Sequence, residues 1–261
     1  MEAFIKNLAK GAGAILRDGF RTKLKISRKA AFYDLVTQFD LAADEYIVGK
    51  IKKKFPAHSI ISEESNSKQK LKKFTWVVDP LDGTHAFVKG IPQFSTSIAL
   101  VHNGQIINAG IYDPIHDEFF YAQKKHGAKL NGRKISPALP STLQHCNISP
   151  YVMSSLWKRG GEKIRKFFYD KLIGRYGMWT DRTSSIALSG AYLACGRTDI
   201  FLAKGFNLWD VAGAVLIMSE SGARVTTFRG ERYSLASDEI VGAHPKVYNQ
   251  IIGILKKTPR T

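Results

Sequence analysis

Apolar residues in the first part of the chain recur every three or four positions, which is the spacing of an amphipathic α-helix. This pattern predicts a first helix over residues 1–20 and a second helix that opens within 34–40. Thr37 can cap the second helix, and Asp40 then lies in its first turn, where the helix dipole favours an anion. The polar, basic residues 21–31 between the two helices predict a loop or hairpin.

The middle of the chain has short apolar runs separated by turn residues, a pattern typical of β-strands. Asn103-Gly104 is a strong hairpin signal between two of these runs. The order of strand, turn and strand predicts an antiparallel meander rather than a βαβ series. We expect strands at residues 59–62, 76–78, 94–101, 105–113 and 118–123.

The second half of the chain mixes helical and strand patterns. We expect helices at 154–168, 183–195, 211–219 and 245–256, and strands at 199–203, 225–228 and 240–243. Helices and strands that are segregated in this way predict an α+β sandwich of layers. No linker interrupts the pattern, so residues 1–261 form one unit, which could divide into two subdomains near residue 145.

Composition narrows the class of protein. The two cysteines, Cys146 and Cys195, are too few for a disulfide framework, and they favour a reducing cytoplasm. No apolar stretch approaches the roughly 18 residues that a transmembrane helix needs, so we expect no membrane association. Lysines and an arginine interrupt the apolar residues of 1–20, which therefore do not resemble a signal peptide.

The chain is strongly basic, with a formal net charge of +17 from 39 Lys and Arg against 22 Asp and Glu. The basic residues cluster in 50–54, 68–73 and 158–166. Solvated helix faces and loops explain such clusters most simply, and we favour that interpretation. The alternative is a surface that binds nucleic acid or another polyanion, although no nucleic-acid-binding motif accompanies the charge.

The candidate chemistry lies in the stretch from Trp76 to Thr84, where three bulky apolar residues run into Asp-Pro-Leu-Asp-Gly-Thr. Pro80 cannot donate to a strand ladder and Gly83 frees the backbone, so we expect the strand to stop in a tight turn. Asp79 and Asp82 would then be held at a strand end, where they could bind Mg²⁺. Alternatively, two aspartates could simply cap a turn.

These residues resemble the inositol monophosphatase family, which belongs to a Mg²⁺-dependent, lithium-sensitive superfamily of sugar phosphatases. The motif at 79–84, followed by 87–92 and 97–100, carries the resemblance together with two further blocks in the same order, one at 61–65 and the other at 209–213 with 220–222. The bacterial extragenic-suppressor type is the most similar part of the family. The resemblance covers almost the whole chain and implies a layered α-β-α-β-α sandwich.

The resemblance also implies the roles of individual residues. The metal ligands, for two or three Mg²⁺ ions, would be Glu63, Asp79, the Leu81 carbonyl, Asp82 and Asp210. The catalytic residues would be Glu63, Thr84 and Asp40, and the substrate would bind at Asp82, Gly83, Thr84 and Asp210. A lysine from the loop after the first helix would approach the metals, and Lys29 is the matching candidate.

The implied reaction is the hydrolysis of a small phosphate monoester by a metal-activated water, with inositol 1-phosphate or a similar sugar phosphate as the substrate. Ala203 replaces the glutamate with which inositol-type members contact the substrate hydroxyls, and the adjacent Lys204 could bind a second anionic group. This departure leaves histidinol phosphate and 3′-phosphoadenosine phosphate as alternatives. The family also implies a homodimer, and some bacterial members act on RNA or the transcription machinery through a basic surface.

Overall fold

The computed structural model describes residues 1–28, 35–140, 142–153, 156 and 160–259. The α-helices are α1 (Glu2–Gly19), α2 (Gln38–Lys54), α3 (Thr84–Val88), α4 (Gly161–Phe168), α5 (Gly174–Tyr176), α6 (Ile186–Ala194), α7 (Leu208–Ser221) and α8 (Pro245–Leu255), with a π-helical turn at Tyr169–Ile173. The strands of the N-terminal half are β1 (Ile26–Arg28), β2 (Leu35–Thr37), β3 (Ser59–Ser62), β4 (Phe74–Asp82), β5 (Ser95–His102), β6 (Gln105–Asp113), β7 (Glu118–Gln123), β8 (Ala128–Leu130) and β9 (Arg133–Lys134). Those of the C-terminal half are β10 (Asn147–Val152), β11 (Trp179–Thr180), β12 (Ile200–Lys204), β13 (Arg224–Thr226) and β14 (Glu239–Ala243).

A seven-stranded sheet in the order β3-β4-β5-β6-β7-β8-β9 dominates the N-terminal half. Strands β3 and β4 are parallel, and the rest of the sheet is the predicted antiparallel meander. The hairpin at Asn103-Gly104 is confirmed, because both residues have positive φ values of 49° and 73°. The apolar faces of α1 and α2 pack on one side of this sheet and bury Trp76 completely.

A five-stranded sheet in the order β11-β10-β12-β14-β13 lies in the C-terminal half. Its strand β10 was not predicted, and it pairs in parallel with both β11 and β12. Pro150 lies inside β10, and a proline in a short run argues against a strand when only the sequence is known. Helices α4 and α8 contribute apolar residues to the cluster on one side of this sheet.

The two sheets share one central layer of helices. Helices α6 and α7 pack against each other, and α7 also contacts β4, β5, β6 and β7 of the larger sheet. Helix α6 contacts β12 and β14 of the smaller sheet, so the main apolar cluster contains residues from both halves of the chain. The resulting order of α1/α2, sheet, α6/α7, sheet and α4/α8 confirms the predicted α-β-α-β-α sandwich.

Several boundaries differ from the prediction. Strand β4 does not stop before Pro80 but continues to Asp82. The helix expected from residue 183 begins at Ile186, because the Ser185 side chain accepts a hydrogen bond from Leu188 N and caps the helix there. The helix expected at 154–168 is described from Gly161 onward, and part of the predicted range lies outside the described residues.

Among the helices that the structure describes, none combines the length and the apolar character needed to cross a bilayer.

Candidate metal centre

Two parallel strands deliver the acidic residues to one edge of the larger sheet. Glu63 directly follows β3, and its N–H donates to the carbonyl of Val78 in β4 at 3.2 Å. Asp79 and Asp82 lie in β4 itself, and Asp79 pairs with Ser97 of β5. Because β3 and β4 run in the same direction, their carboxyl ends meet, and the three acidic residues come close together.

An irregularity in the pairing of β4 lies between the two aspartates. Asp79 pairs with Ser97 and Asp82 with Ser95, so three steps along β4 match two steps along β5. One extra residue in β4 therefore forms a bulge, which bends the strand and re-aims its side chains. This bulge lets β4 continue through Pro80, whereas the sequence predicted that the strand would end there.

Gly83 follows the bulge in a conformation that favours glycine. Its φ is +97°, and a Cβ atom at this position would lie 2.8 Å from the carbonyl oxygen of Gln93. Any other residue would be strained and would clash with the backbone. Gly83 therefore lets the chain turn directly from β4 into the short helix α3, with Thr84 as the first helical residue.

Three carboxylates converge in the described part of the chain. One oxygen from each of Glu63, Asp79 and Asp210 lies within 4.8 Å of the others. Asp210 belongs to the first turn of α7, and its Oδ2 accepts a hydrogen bond from the N–H of Asn207 at 2.7 Å, which closes a capping box. Burial raises the pKa of Asp79 well above its usual range, and the charges of Glu63, Asp82 and Asp210 raise it further.

This group of carboxylates fits a divalent cation. Asp79 is buried, and its Oδ1 has no hydrogen-bond partner among the described residues. A buried, like-charged and partly unsatisfied carboxylate is costly unless a cation balances it. Oxygen donors of this type are the ligands that Mg²⁺ prefers, so the residues present match the ion that the sequence predicts.

The structure places Asp82 at the start of α6. Its Oδ2 accepts hydrogen bonds from the Ser185 hydroxyl at 2.5 Å and from Ala187 N at 2.7 Å, and its Oδ1 lies 3.3 Å from Ile186 N. Burial raises the pKa of Asp82 to about 7, although these hydrogen bonds act in the opposite direction. Asp82 lies outside the group of three converging carboxylates, and its role as a metal ligand stays a prediction.

Asp40 and Thr84 contact each other across the site. The Thr84 Oγ1 lies 3.0 Å from Asp40 Oδ1 and also 3.0 Å from the carbonyl oxygen of Leu81. Asp40 Oδ2 accepts from the N–H of Thr37 at 2.9 Å, so Asp40 also closes the capping box of α2. Burial is the largest influence on Asp40 and raises its pKa. The predicted cap at Thr37 and the predicted position of Asp40 in the first turn are therefore confirmed.

The sequence also predicted two lysines near the substrate or the metals, Lys204 and Lys29. The Lys204 ammonium group lies 3.1 Å from Glu239 Oε2 and 3.2 Å from Asp238 Oδ2, so its charge is already paired. A contact between Lys204 and a substrate anion is therefore not supported by the structure. Lys29 lies outside the described residues.

The sequence did not identify a buried hydroxyl network behind Asp82. The Tyr151 hydroxyl lies 2.5 Å from Ser189 Oγ and donates to the carbonyl of Thr183 at 2.6 Å. Thr183 Oγ1 in turn donates to the carbonyl of Ser185 at 2.6 Å. Tyr151 pairs with Ala203 across β10 and β12, so its ring lies beside the position of the missing glutamate. The run of Thr and Ser at 183–185 was the one signal that could have indicated this network.

Comparisons with known proteins agree with this geometry. The model of the inositol monophosphatase family matches residues 1–260. A protein of Pasteurella multocida named Nus factor SuhB is 34% identical over 250 residues, which cover 94% of this chain and 91% of that protein. A Thermotoga maritima protein named fructose-1,6-bisphosphatase/inositol-1-monophosphatase is 31% identical over 237 residues, which cover 89% of this chain and 86% of that protein.

Solved structures show the same arrangement of layers. The Thermotoga maritima IMPase superposes with a TM-score of 0.88 at 28% sequence identity, and the match covers 99% of this chain and 98% of the IMPase chain. The extragenic suppressor protein suhB of Bartonella henselae superposes with a TM-score of 0.87 at 30% identity and covers 97% of each chain.

Proposed function

Because the chain belongs to the inositol monophosphatase family, we propose that it is a Mg²⁺-dependent phosphomonoesterase that hydrolyses a small phosphate ester. The observation that carries this proposal is the convergence of Glu63, Asp79 and Asp210, whose carboxylate oxygens lie within 4.8 Å of one another. Phosphatase activity is also what membership of the family implies.

We assign the metal ligands from the positions of the carboxylates. Glu63 and Asp79 would hold one ion together with the Leu81 carbonyl, and Asp210, whose carboxylate lies beside theirs, would join Asp82 around a second. When bound, Mg²⁺ supplies Lewis-acid activation of a water molecule and neutralises charge on the phosphate.

The chain's own residues would move the proton. The Thr84 hydroxyl lies 3.0 Å from Asp40 Oδ1, so it could pass its own proton to Asp40 as it takes one from the attacking water. Burial raises the pKa of Asp40 and makes this carboxylate a better proton acceptor at neutral pH. Glu63 would orient the same water. The N–H groups of Gly83 and Thr84 would bind the phosphate, because Gly83 has no side chain to block its approach.

Inositol 1-phosphate or a similar sugar phosphate is the substrate that we propose, and the name of the Thermotoga maritima relative supports this class. Ala203 is fully buried in the central apolar cluster and provides no polar group for substrate hydroxyls. Histidinol phosphate and 3′-phosphoadenosine phosphate therefore stay as alternatives. We also propose a cytoplasmic homodimer, which rests on the family resemblance.

A second candidate function is association with the transcription machinery. The relative from Pasteurella multocida is named a Nus factor, and the net charge of +17 favours contact with a polyanion. This function could coexist with hydrolysis, because it needs only the surface of the protein.

The test of hydrolysis is phosphate release from inositol 1-phosphate, fructose 1,6-bisphosphate, histidinol phosphate and 3′-phosphoadenosine phosphate, with and without Mg²⁺. Asp79→Asn should lower kcat at least about a hundredfold, because it removes a direct metal ligand. The melting temperature of the metal-free variant should stay the same or rise, since the substitution relieves repulsion between carboxylates.

Asp170→Asn is the matched control, because it makes the same chemical change at an exposed ion pair of residues i and i+4. Its activity should equal that of the wild type. Mg²⁺-independent turnover, or full activity in Asp79→Asn, would reject the proposed mechanism.

A further inference from the structure

A second carboxylate of α2 lies one helical turn after Asp40. Asp44 follows Asp40 by four positions, so both side chains project from the same face of the helix. Both are buried, with exposed fractions of 0% for Asp40 and 5% for Asp44. Asp44 does not belong to the group of three converging carboxylates, and aspartates are rarely buried without a partner. Its burial therefore needs an explanation of its own.

The hydrogen-bond partner of Asp44 is the last residue of β3. The Ser62 hydroxyl donates to Asp44 Oδ1, and Ser62 is fully buried. Within the described residues, no basic side chain lies within 4.0 Å of the Asp44 carboxylate. Burying a carboxylate without a cationic partner costs free energy, so a stabilising role alone is a weak explanation for Asp44.

Ser62 lies where β3 ends and the metal centre begins. It pairs with the residue before Asp79 in β4, so Glu63 and Asp79 come next on the two parallel strands. The carbonyl of Ser62 accepts from Asn66 N at 3.2 Å, which closes the turn that contains Glu63. The hydrogen bond from the Ser62 hydroxyl to Asp44 thus fixes the point from which this turn starts.

Helix α2 contacts both strand ends through its two carboxylates. Asp44 holds the end of β3 through Ser62, and Asp40 lies 3.0 Å from the Thr84 hydroxyl, just beyond the end of β4. The four residues from Asp40 to Asp44 rise about 6 Å along the helix axis. The two strand ends that carry the proposed metal ligands are therefore fastened to one rigid element.

We infer that Asp44 is a positioning residue for the metal centre, which acts on Glu63 through the Ser62 hydroxyl. An ionised carboxylate only accepts hydrogen bonds, so it makes the Ser62 hydroxyl the donor and sets its direction. Asp44 itself would contact neither the metal nor the substrate. This inference rests on the proposed function, because it concerns the same group of carboxylates.

Magnesium makes the position of Glu63 matter. Mg²⁺ binds oxygen ligands at about 2.0–2.1 Å in a nearly ideal octahedral geometry. A small rotation of the backbone at Glu63 would move its carboxylate away from that of Asp79. The loss of a hydrogen bond that orients a ligand typically lowers the metal affinity about 10–100-fold.

Isothermal titration calorimetry with Mg²⁺ alone tests this role. Ser62→Ala and Asp44→Ala should each weaken Mg²⁺ binding at least about tenfold, because each removes the same hydrogen bond. The double variant should bind no more weakly than either single variant, since the two residues act as a pair. Asp44→Asn should stay within about threefold of the wild type, because the amide oxygen still accepts from Ser62.

The asparagine variant separates the hydrogen bond from the charge. If Asp44 attracted Mg²⁺ through its charge, Asp44→Asn would lose as much affinity as Asp44→Ala, and this result would overturn the positioning role. Wild-type affinity in Ser62→Ala would overturn it as well. These two variants decide the question even if Asp44→Ala does not fold.

Tyr248→Phe is the matched control, because it removes one buried hydrogen bond between a helix and a strand in the outer part of the smaller sheet. The Tyr248 hydroxyl of α8 lies 2.6 Å from Thr226 Oγ1 of β13. The melting temperature should fall in this variant as it does in Ser62→Ala, whereas the Mg²⁺ affinity should stay unchanged. An equal loss of affinity in the control would mean that Mg²⁺ binding follows overall stability, and would overturn the inference.

Phosphate release as a function of Mg²⁺ concentration gives a second measurement. Ser62→Ala should need about tenfold more Mg²⁺ for half-maximal activity and should recover most of kcat at saturation. A kcat that stays low at saturating Mg²⁺ would place Ser62 in the chemical step and contradict a positioning role. A wild-type protein that does not bind Mg²⁺ would reject the proposed function itself, and with it the role of Asp44.

Discussion

At the scale of single residues, the buried carboxyls of Asp79 and Asp82 link metal binding to pH. Burial raises the pKa of both groups, that of Asp82 to about 7. Such groups stabilise the metal-free fold below their unfolded pKa of about 4, and this contribution is lost as the pH rises through the folded pKa. At neutral pH the metal-free centre is therefore destabilising, and a bound divalent cation would relieve the repulsion.

We predict that Mg²⁺ raises the melting temperature more at about pH 7.5 than at about pH 5.5, because protons compete with the metal for the same carboxylates. A gain of 1 kcal/mol in the free energy of unfolding corresponds to about 2–4 °C for a chain of this size. Differential scanning fluorimetry with and without Mg²⁺ measures the difference. An equal shift at both pH values, or a larger one at the lower pH, would contradict the prediction.

The sequence identified the acidic residues of the site better than the groups that hold them. Glu63, Asp79 and Asp210 were all predicted as ligands, and the structure brings them together. The partner of Asp82 was not found, because Ser185 lies 103 positions further along the chain. Local patterns of one sequence do not contain a contact at that separation.

At the scale of elements, the start of α6 determines where Asp82 points. Ser185 caps the helix through its bond from Leu188 N at 3.1 Å and donates to Asp82 with the same hydroxyl. One side chain therefore fixes both the helix and the carboxylate. A hydrogen bond that holds a metal-binding carboxylate in place typically changes the metal affinity about 10–100-fold when it is removed.

We predict that Ser185→Ala lowers the free energy of unfolding by about 1 kcal/mol, through loss of the cap. It should also weaken Mg²⁺ binding about tenfold at neutral pH, because the pKa of Asp82 rises further without this hydrogen bond. Isothermal titration calorimetry measures the affinity, and thermal melts measure the stability.

His244→Ala provides the matched control for this variant. The His244 side chain caps α8 by accepting a hydrogen bond from Lys246 N. This cap lies far along the sequence from the carboxylates of the site. Its loss should lower stability by a similar amount and leave the Mg²⁺ affinity unchanged. Unaltered Mg²⁺ affinity in Ser185→Ala would show that the hydroxyl acts only as a cap.

Most elements followed from hydrophobic spacing, and the exceptions have local causes. Strand β10 was missed because it contains Pro150, which the pairing tolerates. Strand β11 has only two residues, Trp179 and Thr180, and both side chains are exposed. Neither a hydrophobic period nor burial marks such a strand in the sequence.

At the scale of the whole molecule, the central helices join the two halves into one cooperative unit. The main apolar cluster includes Val77 and Phe120 from the larger sheet and Phe201 and Ile240 from the smaller one. Neither half can bury this surface alone. The layered architecture was predicted from the family resemblance, whereas the sharing of one core between the halves was not.

We predict a single unfolding transition in urea, with the same midpoint by far-ultraviolet circular dichroism and by tryptophan fluorescence. Trp76 reports on the first half, because it is fully buried beneath α1 and α2. As a further check, a fragment of residues 1–145 should fail to fold. Two separate midpoints, or a folded fragment, would establish independent subdomains instead.

The hydrogen bonds from the start of α6 to Asp82 also have an evolutionary consequence. Two of the three donors are the backbone N–H groups of Ile186 and Ala187, which every amino acid except proline supplies. Random mutation can therefore change these two side chains without removing the donors. Both side chains are buried in the core, so lineages can exchange them for others that fit the packing while Asp82 stays in place.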